Sequence, residues 1–198
     1  GSGRGEEFPE RRRSVDPYFL VDRCFVFGYT LSQYNSYINM KFEGIYEKTI
    51  VIIKPDGVQR GLLGEVLKRF ELKGLKVVGL KMMYLDEQKL REHYAHHVEK
   101  PFYPGLEAFM KSSPVVVVCL EGKGAVGAVR LISGVTHAGQ ADGGTIRGDL
   151  AMGMCNVVHC SDSPETAQDE VARFFEKDEI FDYNKTEYLH VYMEDERT

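Results

Sequence analysis

His159 stands near the end of the run Met154-Cys155-Asn156-Val157-Val158-His159-Cys160-Ser161-Asp162-Ser163. The run reads as a short apolar strand entering a polar turn and then a helix. Ser163 suits the N-cap, Pro164 the first helical position and Glu165 the positive end. A histidine at the end of a buried strand, beside a helix N-terminus, has a rigidly held imidazole with peptide N–H groups nearby for an anion. The glycine-flanked run Gly143-Gly144-Thr145-Ile146-Arg147-Gly148-Asp149 supplies a second candidate. Glycines let a backbone come close to a ligand, and arginine contacts phosphate oxygens in pairs. The run lacks the G-x-x-x-x-G-K-[ST] pattern, so its chemistry is not that of a P-loop. Lys54, at the end of an apolar strand, is a third candidate, since a charge placed there needs a reason. A salt bridge with Asp56 or Asp149 is the simpler account and a phosphate contact the functional one.

His93, His96 and His97 read differently. A helix would set His93 and His97 on one face, a spacing that can bind zinc, but no H-E-x-x-H pattern is present. A solvated helix face is the expectation there.

The elements that must position these residues follow from pattern. Thr49 to Lys54 is a β-branched run suited to a central strand, ended by Pro55-Asp56-Gly57. Leu63, Val66, Leu67 and Phe70 recur at helical spacing up to Gly74. Leu75 to Tyr84 reads as a second strand. Asp86 caps a helix carrying His93, Tyr94 and His97. Phe102 to Lys111 reads as another helix with Leu106, Phe109 and Met110 inward, Val115 to Leu120 as a third strand and Gly124 to Ile132 as a small-residue helix. The stretch Ser133 to Gly148 has no period and reads as a long functional loop. A final helix buries Ala167, Val171 and Phe174. This order specifies an α+β fold: a ferredoxin-like antiparallel sheet of the split β-α-β type with helices packed on it.

Composition narrows the classes. The 198 residues carry a formal net charge of −5, against a protein built mainly to coat nucleic acid. Hydrophobic residues make up 43%, enough for one packed core. No apolar run approaches the ~20 residues a membrane span needs. Cys24, Cys119, Cys155 and Cys160 show neither a metal nor a disulfide spacing, so a cytoplasmic setting is expected. Residues 1–46 read as an N-terminal extension to a domain over 47–198. Gly1-Ser2-Gly3 resembles a cloning remnant, Arg11-Arg12-Arg13 is a charge cluster, residues 18–38 are rich in aromatics, and Met40 is an alternative start.

Several motifs in order resemble the nucleoside diphosphate kinase family. They are Ile53-Lys54-Pro55-Asp56-Gly57-Val58-Gln59-Arg60-Gly61, Pro101-Phe102-Tyr103, Gly144-Thr145-Ile146-Arg147-Gly148-Asp149, and Asn156-Val157-Val158-His159-Cys160-Ser161-Asp162-Ser163. The resemblance runs from about Glu47 to Tyr192. It implies that His159 accepts the γ-phosphoryl group of a nucleoside triphosphate and passes it to a diphosphate, with ping-pong kinetics. It implies phosphate contacts from Lys54, Arg130, Thr136 and Arg147, sugar-hydroxyl contacts from Asn156 and Lys54, and a stacking face for the base from Phe102. Tyr94, Ser161 and Glu170 would surround and orient the histidine. Mg²⁺ would bridge the nucleotide phosphates rather than sit in a protein cage. The partners implied are nucleoside di- and triphosphates and further copies of the chain, as a tetramer or hexamer, without membrane or nucleic acid. Two positions depart from the family pattern. Cys160 stands where a glycine or another small residue is usual, and Gly143 where a proline is frequent. Against this reading stand a nucleic-acid module, which lacks an RNP-type run here, and a catalytically silent scaffold, against which His159, Lys54, Arg130, Arg147 and Asn156 count together.

Overall fold

The computed structural model describes residues 46–185 and 187–196. Residues 1–45, with Cys24, the arginine cluster and the aromatic segment, lie outside the described residues.

A four-stranded sheet organises the domain, in the order β2-β3-β1-β4 with every neighbouring pair antiparallel. Its strands are β1 (Tyr46–Ile53), β2 (Lys76–Met83), β3 (Val115–Lys123) and β4 (Val158–Cys160). This is the ferredoxin-like α+β topology expected from the element order. Both faces of the sheet are covered, which explains why β1 and β3 are apolar throughout rather than alternating. One face carries Val51, Ile53, Val116, Val118, Leu120, Val158 and Cys160. It packs on α2 (Leu63–Leu72), α5 (Ala125–Ser133) and α6 (Ile146–Leu150) through Val66, Phe70, Val129 and Ile146. The other face carries Ile50, Ile52, Val115, Val117 and Cys119. It packs on α3 (Glu87–His93), α4 (Tyr103–Lys111) and α7 (Pro164–Phe174) through Leu90, Tyr103, Met110 and Phe174.

Local chemistry sets the ends of the elements. At the end of α2, Gly74 takes φ 97°. Its N–H donates to the Glu71 carbonyl and the Leu75 N–H to the Phe70 carbonyl, a Schellman closure that only a residue free of a Cβ adopts easily. Asp86 accepts from the Lys89 N–H at 2.7 Å and starts α3. Ser163 accepts from the Thr166 N–H at 3.2 Å, with Pro164 behind it, and starts α7. Both caps match the sequence reading.

Three local expectations are corrected. The strand holding His159 is shorter than its apolar run: only Val158–Cys160 pairs with β1, and although it is buried it lies at an edge of the sheet. Pro55-Asp56-Gly57 does not simply stop β1 but opens the short helix α1 (Pro55–Gln59), because proline is preset for the first helical position. The stretch from 133 to 148 holds a 3₁₀ turn at Ala138–Gln140 and then α6, capped by Thr145, whose hydroxyl oxygen accepts from the Gly148 N–H at 3.0 Å.

The residues after α7 run along the outer edge of β2. The Phe181 N–H donates to the Val78 carbonyl at 2.8 Å and the Tyr183 hydroxyl to the Val77 carbonyl at 2.8 Å. Beyond that cover Leu80, Met82 and Tyr84 are 50%, 58% and 71% exposed, so the second half of the edge presents apolar side chains to solvent.

Candidate active site

The pairing of Ile52 with His159 turns the imidazole to the α3/α7 face, while Val158 and Cys160 point to the opposite one. On α7, Glu170 falls between Ala167 and Phe174 on the buried stripe. It is 3% exposed, which for a carboxylate demands partners. One oxygen lies 2.9 Å from His159 Nε2; the other accepts from the Ser161 hydroxyl at 2.5 Å. Ser161 in turn accepts the Ile50 backbone N–H at 3.2 Å, tying this chain of bonds to β1. With a carboxylate as its neighbour, Nε2 carries the ring proton, and the lone pair is left on Nδ1 of a ring that is 18% exposed.

Behind the ring sits His93, at the end of α3 and fully enclosed. Its ring stands edge-on to His159 at 4.5 Å, to Tyr94 at 4.5 Å and to Phe174 at 5.2 Å. Its Nδ1 is 3.6 Å from Glu170, too far for a hydrogen bond, and neither ring nitrogen has a partner. Burial, and then the neighbouring His159, push its pKa down to about 2, so it is neutral. The expectation of a solvated histidine face is therefore wrong for His93. The helix ends at Tyr94, and His97 belongs to a separate 3₁₀ turn, so the two histidines do not share one continuous helical face. Tyr94 packs against His159 with ring centroids 6.1 Å apart, its hydroxyl pKa raised by burial and by Glu170.

Cations gather on the other side. Lys54 Nζ donates to Asn156 Oδ1 at 2.6 Å, and Asn156 Nδ2 donates to the Thr136 carbonyl at 2.6 Å. Burial, followed by the nearby Arg147, pulls the Lys54 pKa down to about 8. Arg147 is buried; its guanidinium donates to the carbonyls of Gly134 at 2.6 Å and Val158 at 2.8 Å, and its Nε has no partner. The Gly134 end of this clamp needs glycine: its φ is 79°, and a Cβ there would meet the Thr145 hydroxyl at 2.5 Å. Arg130, on α5, reaches into solvent and pairs with Asp162 in the turn after β4. Phe102 is 53% exposed beside α4, with the His97 ring edge-on at 5.3 Å. The salt bridge considered for Lys54 does not form. Asp149 is bound to Arg69 at 2.6 Å, and Asp56 turns to a backbone N–H.

That Asp56 contact belongs to a supporting device that the sequence did not reveal. Val157 takes φ 68°, costly for a β-branched residue, and the Val158 N–H bonds back to the Asn156 carbonyl at 2.7 Å, a tight γ-turn. Asp56 accepts the Val157 N–H at 3.0 Å, and the Val157 carbonyl accepts the Lys54 N–H at 2.8 Å. Gly57 lets the helix come close: a Cβ there would meet Ile53 Cγ2 at 2.8 Å and Val157 Cγ1 at 3.1 Å. The turn places Asn156 against Lys54 and His159 against Glu170 within one short segment. Cys160 packs on the far face, 5% exposed, its thiol donating to the Ser133 hydroxyl at 3.1 Å.

An imidazole on a ring 18% exposed, held from behind by a buried carboxylate in a domain that also carries lysine, arginine and amide groups, is a grouping suited to phosphoryl transfer, built on a ferredoxin-like sheet. The family model for nucleoside diphosphate kinase matches residues 47–180. The nucleoside diphosphate kinase of Parabacteroides distasonis is 52% identical over 151 residues, 76% of this chain and 99% of that protein. The enzyme of Pyrococcus abyssi is 49% identical over 145 residues, 71% of this chain and 91% of that protein. Among solved structures, a halophilic nucleoside diphosphate kinase from Halobacterium salinarum in complex with CDP superposes with a TM-score of 0.73 at 45% identity, covering 74% of this chain and 99% of that one. A transition-state mimic of the Borrelia burgdorferi enzyme, with bound vanadate and ADP, gives a TM-score of 0.69 at 33% identity, covering 74% and 96%. The chain belongs to the nucleoside diphosphate kinase family.

Proposed function

We propose that this chain moves the γ-phosphoryl group of a nucleoside triphosphate to a nucleoside diphosphate through a phosphorylated His159. The observation that carries the assignment of the nucleophile is the 2.9 Å contact of His159 Nε2 with Glu170, which leaves the Nδ1 lone pair free to attack. In the first half-reaction a bond forms between Nδ1 and the γ-phosphorus. The bond to the β–γ bridging oxygen breaks, and the diphosphate departs with that electron pair. Positive charge develops on the imidazole, and the Glu170 carboxylate stabilises it through Nε2–H. The second half-reaction runs the same steps backward with another diphosphate as acceptor.

Lys54, Arg130 and Arg147 supply positive charge, and the Thr136 hydroxyl a donor, to the phosphate chain. Lys54 and Asn156, already bonded to each other, present donors for the sugar hydroxyls. Phe102 offers an exposed face for the base, and a face does not distinguish one base from another. Tyr94 and Ser161 hold the histidine and its carboxylate in place. CDP in the Halobacterium protein and ADP with vanadate in the Borrelia protein support this substrate class.

Mg²⁺ would enter with the nucleotide, neutralising phosphate charge. The side chains assigned to the phosphates are cations, amides and hydroxyls, which suit a metal held by phosphate oxygens rather than by a carboxylate cage. The apolar edge of β2 around Leu80, Met82 and Tyr84 supports a homo-oligomer, because an unpaired edge is a template for a second copy. Among the described residues no helix is long and apolar enough to cross a membrane. The free thiols of Cys119, Cys155 and Cys160 suit a reducing, cytoplasmic setting.

The test is intact mass after incubation with ATP and Mg²⁺. The protein should gain one phosphoryl group and lose it to added diphosphate, and His159→Ala should do neither. Transfer at an undiminished rate by that variant would remove His159 from the mechanism.

A further inference from the structure

The phosphotransfer reading gives His93 no task, although the position is costly. A buried imidazole with both nitrogens unpartnered gives up the hydrogen bonds it made in water. Its side chain is 1% exposed, that of Glu170 4% and that of His159 18%. One donor atom from each of the three lies within 4.8 Å of the others. Glu170 Oε1 stands 2.9 Å from His159 Nε2 and 3.6 Å from His93 Nδ1. A tetrahedral zinc ion with bonds of about 2.0–2.1 Å places its ligand atoms roughly 3.3 Å apart, between those two separations.

We infer that His93, His159 and Glu170 form a capture site for a zinc-type divalent cation, in which the metal replaces the proton on His159 Nε2 and arrests the nucleophile. Two imidazoles and one carboxylate are a borderline-soft donor set that favours Zn²⁺ over Mg²⁺. Three protein ligands leave a fourth position for water. The partly exposed edge of His159 gives the ion its way in, and side-chain movement that brings the three donor atoms, already within 4.8 Å of one another, to the tetrahedral spacing completes the geometry. On binding, the His159 Nε2 proton goes to solvent, and the lone pairs of His159 Nε2, Glu170 Oε1 and the neutral His93 Nδ1 go to the metal. Glu170 can then no longer accept from Nε2–H, and the cation withdraws electron density from the ring. Attack by Nδ1 is slowed without any change at the phosphate-binding groups. The arrest rests on His159 being the nucleophile; the binding does not.

The experiment is calorimetric titration of the metal-free, nucleotide-free protein with zinc chloride, for the wild type and for His93→Phe, whose ring fills a similar volume but offers no ligand. The wild type should take one ion per chain. The variant, checked for folding by circular dichroism, should bind more weakly by more than about tenfold, the loss that even an outer partner of a metal ligand causes. If His93→Phe does not fold, Glu170→Gln gives the same comparison. No zinc uptake by the wild type, or equal affinity in the folded variant, overturns the site; the second result would move the ion to surface groups such as His96, His97 or Cys155. In a second arm, zinc should block phosphoenzyme formation in the wild type and a chelator should restore it. Zinc that binds through His93 yet leaves phosphoenzyme formation at full rate overturns the arrest. A metal-free wild type that never forms a phosphoenzyme would end the nucleophile assignment while leaving the capture site standing.

Discussion

Replacing Glu170 with glutamine changes almost no volume and removes one charge. In the structure Glu170 accepts twice, from His159 Nε2 at 2.9 Å and from the Ser161 hydroxyl at 2.5 Å. A glutamine has one accepting oxygen, so one contact must fail. If the oxygen faces His159, Nε2 keeps its proton, and the amide NH₂ meets a Ser161 oxygen that already accepts from the Ile50 N–H. If the amide NH₂ faces His159, Nε2 must accept, the ring proton moves to Nδ1 and the nucleophile is lost. The first arrangement retains activity but lacks the charge opposite the imidazolium that develops during attack. A hydrogen bond to a charged group contributes about 1.5–3 kcal/mol, and about 1.4 kcal/mol is tenfold in rate. Glu170→Gln should therefore lower kcat by about 10–150-fold, with nucleotide KM changed much less because Glu170 faces away from the phosphate-binding cations. The assay is steady-state turnover together with the rate of phosphoenzyme formation by rapid-quench mass measurement. A variant within twofold of wild type in both would refute the account of Glu170 as the group that holds and charges His159.

The Lys54 pKa of about 8 separates two pH effects of opposite sign. On the proposed role of the Lys54 ammonium in phosphate binding, kcat/KM should fall roughly tenfold per unit above pH 8 as the free enzyme loses that proton. Because the folded pKa lies below the unfolded one, charged Lys54 costs stability below about pH 8. That cost should shrink between about 8 and 10.5, as thermal melts across this range would show once other titrating groups are matched with Lys54→Met. Cys160→Ala should cost about 1 kcal/mol through its lost bond to Ser133. Mild peroxide should inactivate that variant and the wild type at the same rate, because the thiol lies on the sheet face opposite His159; faster loss in the wild type would place it in the site. Met82→Glu, on the open half of the β2 edge, should lower the oligomeric state seen in sedimentation while each chain stays folded, and an unchanged assembly would move the interface elsewhere.

The sequence by itself determined much of this protein. Apolar runs and caps placed the elements: Asp86, Ser163 and Gly74 act where their side chains, or the lack of one, require, because capping depends on residues within one turn. The order of the elements pointed to the sheet topology, and several motifs in sequence carried the resemblance to the family. Tertiary structure decided what depends on residues far apart in the chain. Val158–Cys160 became a short edge strand, since pairing with β1 ends where Val157 turns into positive φ, and that turn is held by Asp56, 101 positions away. His93 looked like part of a solvated face because helical spacing says nothing about what packs above it, and α7 covers it with Phe174 and Glu170. Lys54 had plausible acidic partners in the sequence, but the fold gave Asp149 to Arg69 and turned Lys54 to Asn156. Cys160 follows His159 in the chain yet lies on the other face of the sheet, since neighbouring residues of a strand point in opposite directions. Which lone pair of His159 is free was likewise fixed only by the 2.9 Å approach of Glu170, because a tautomer is set by the partner that folding brings to the ring and not by the residues beside it.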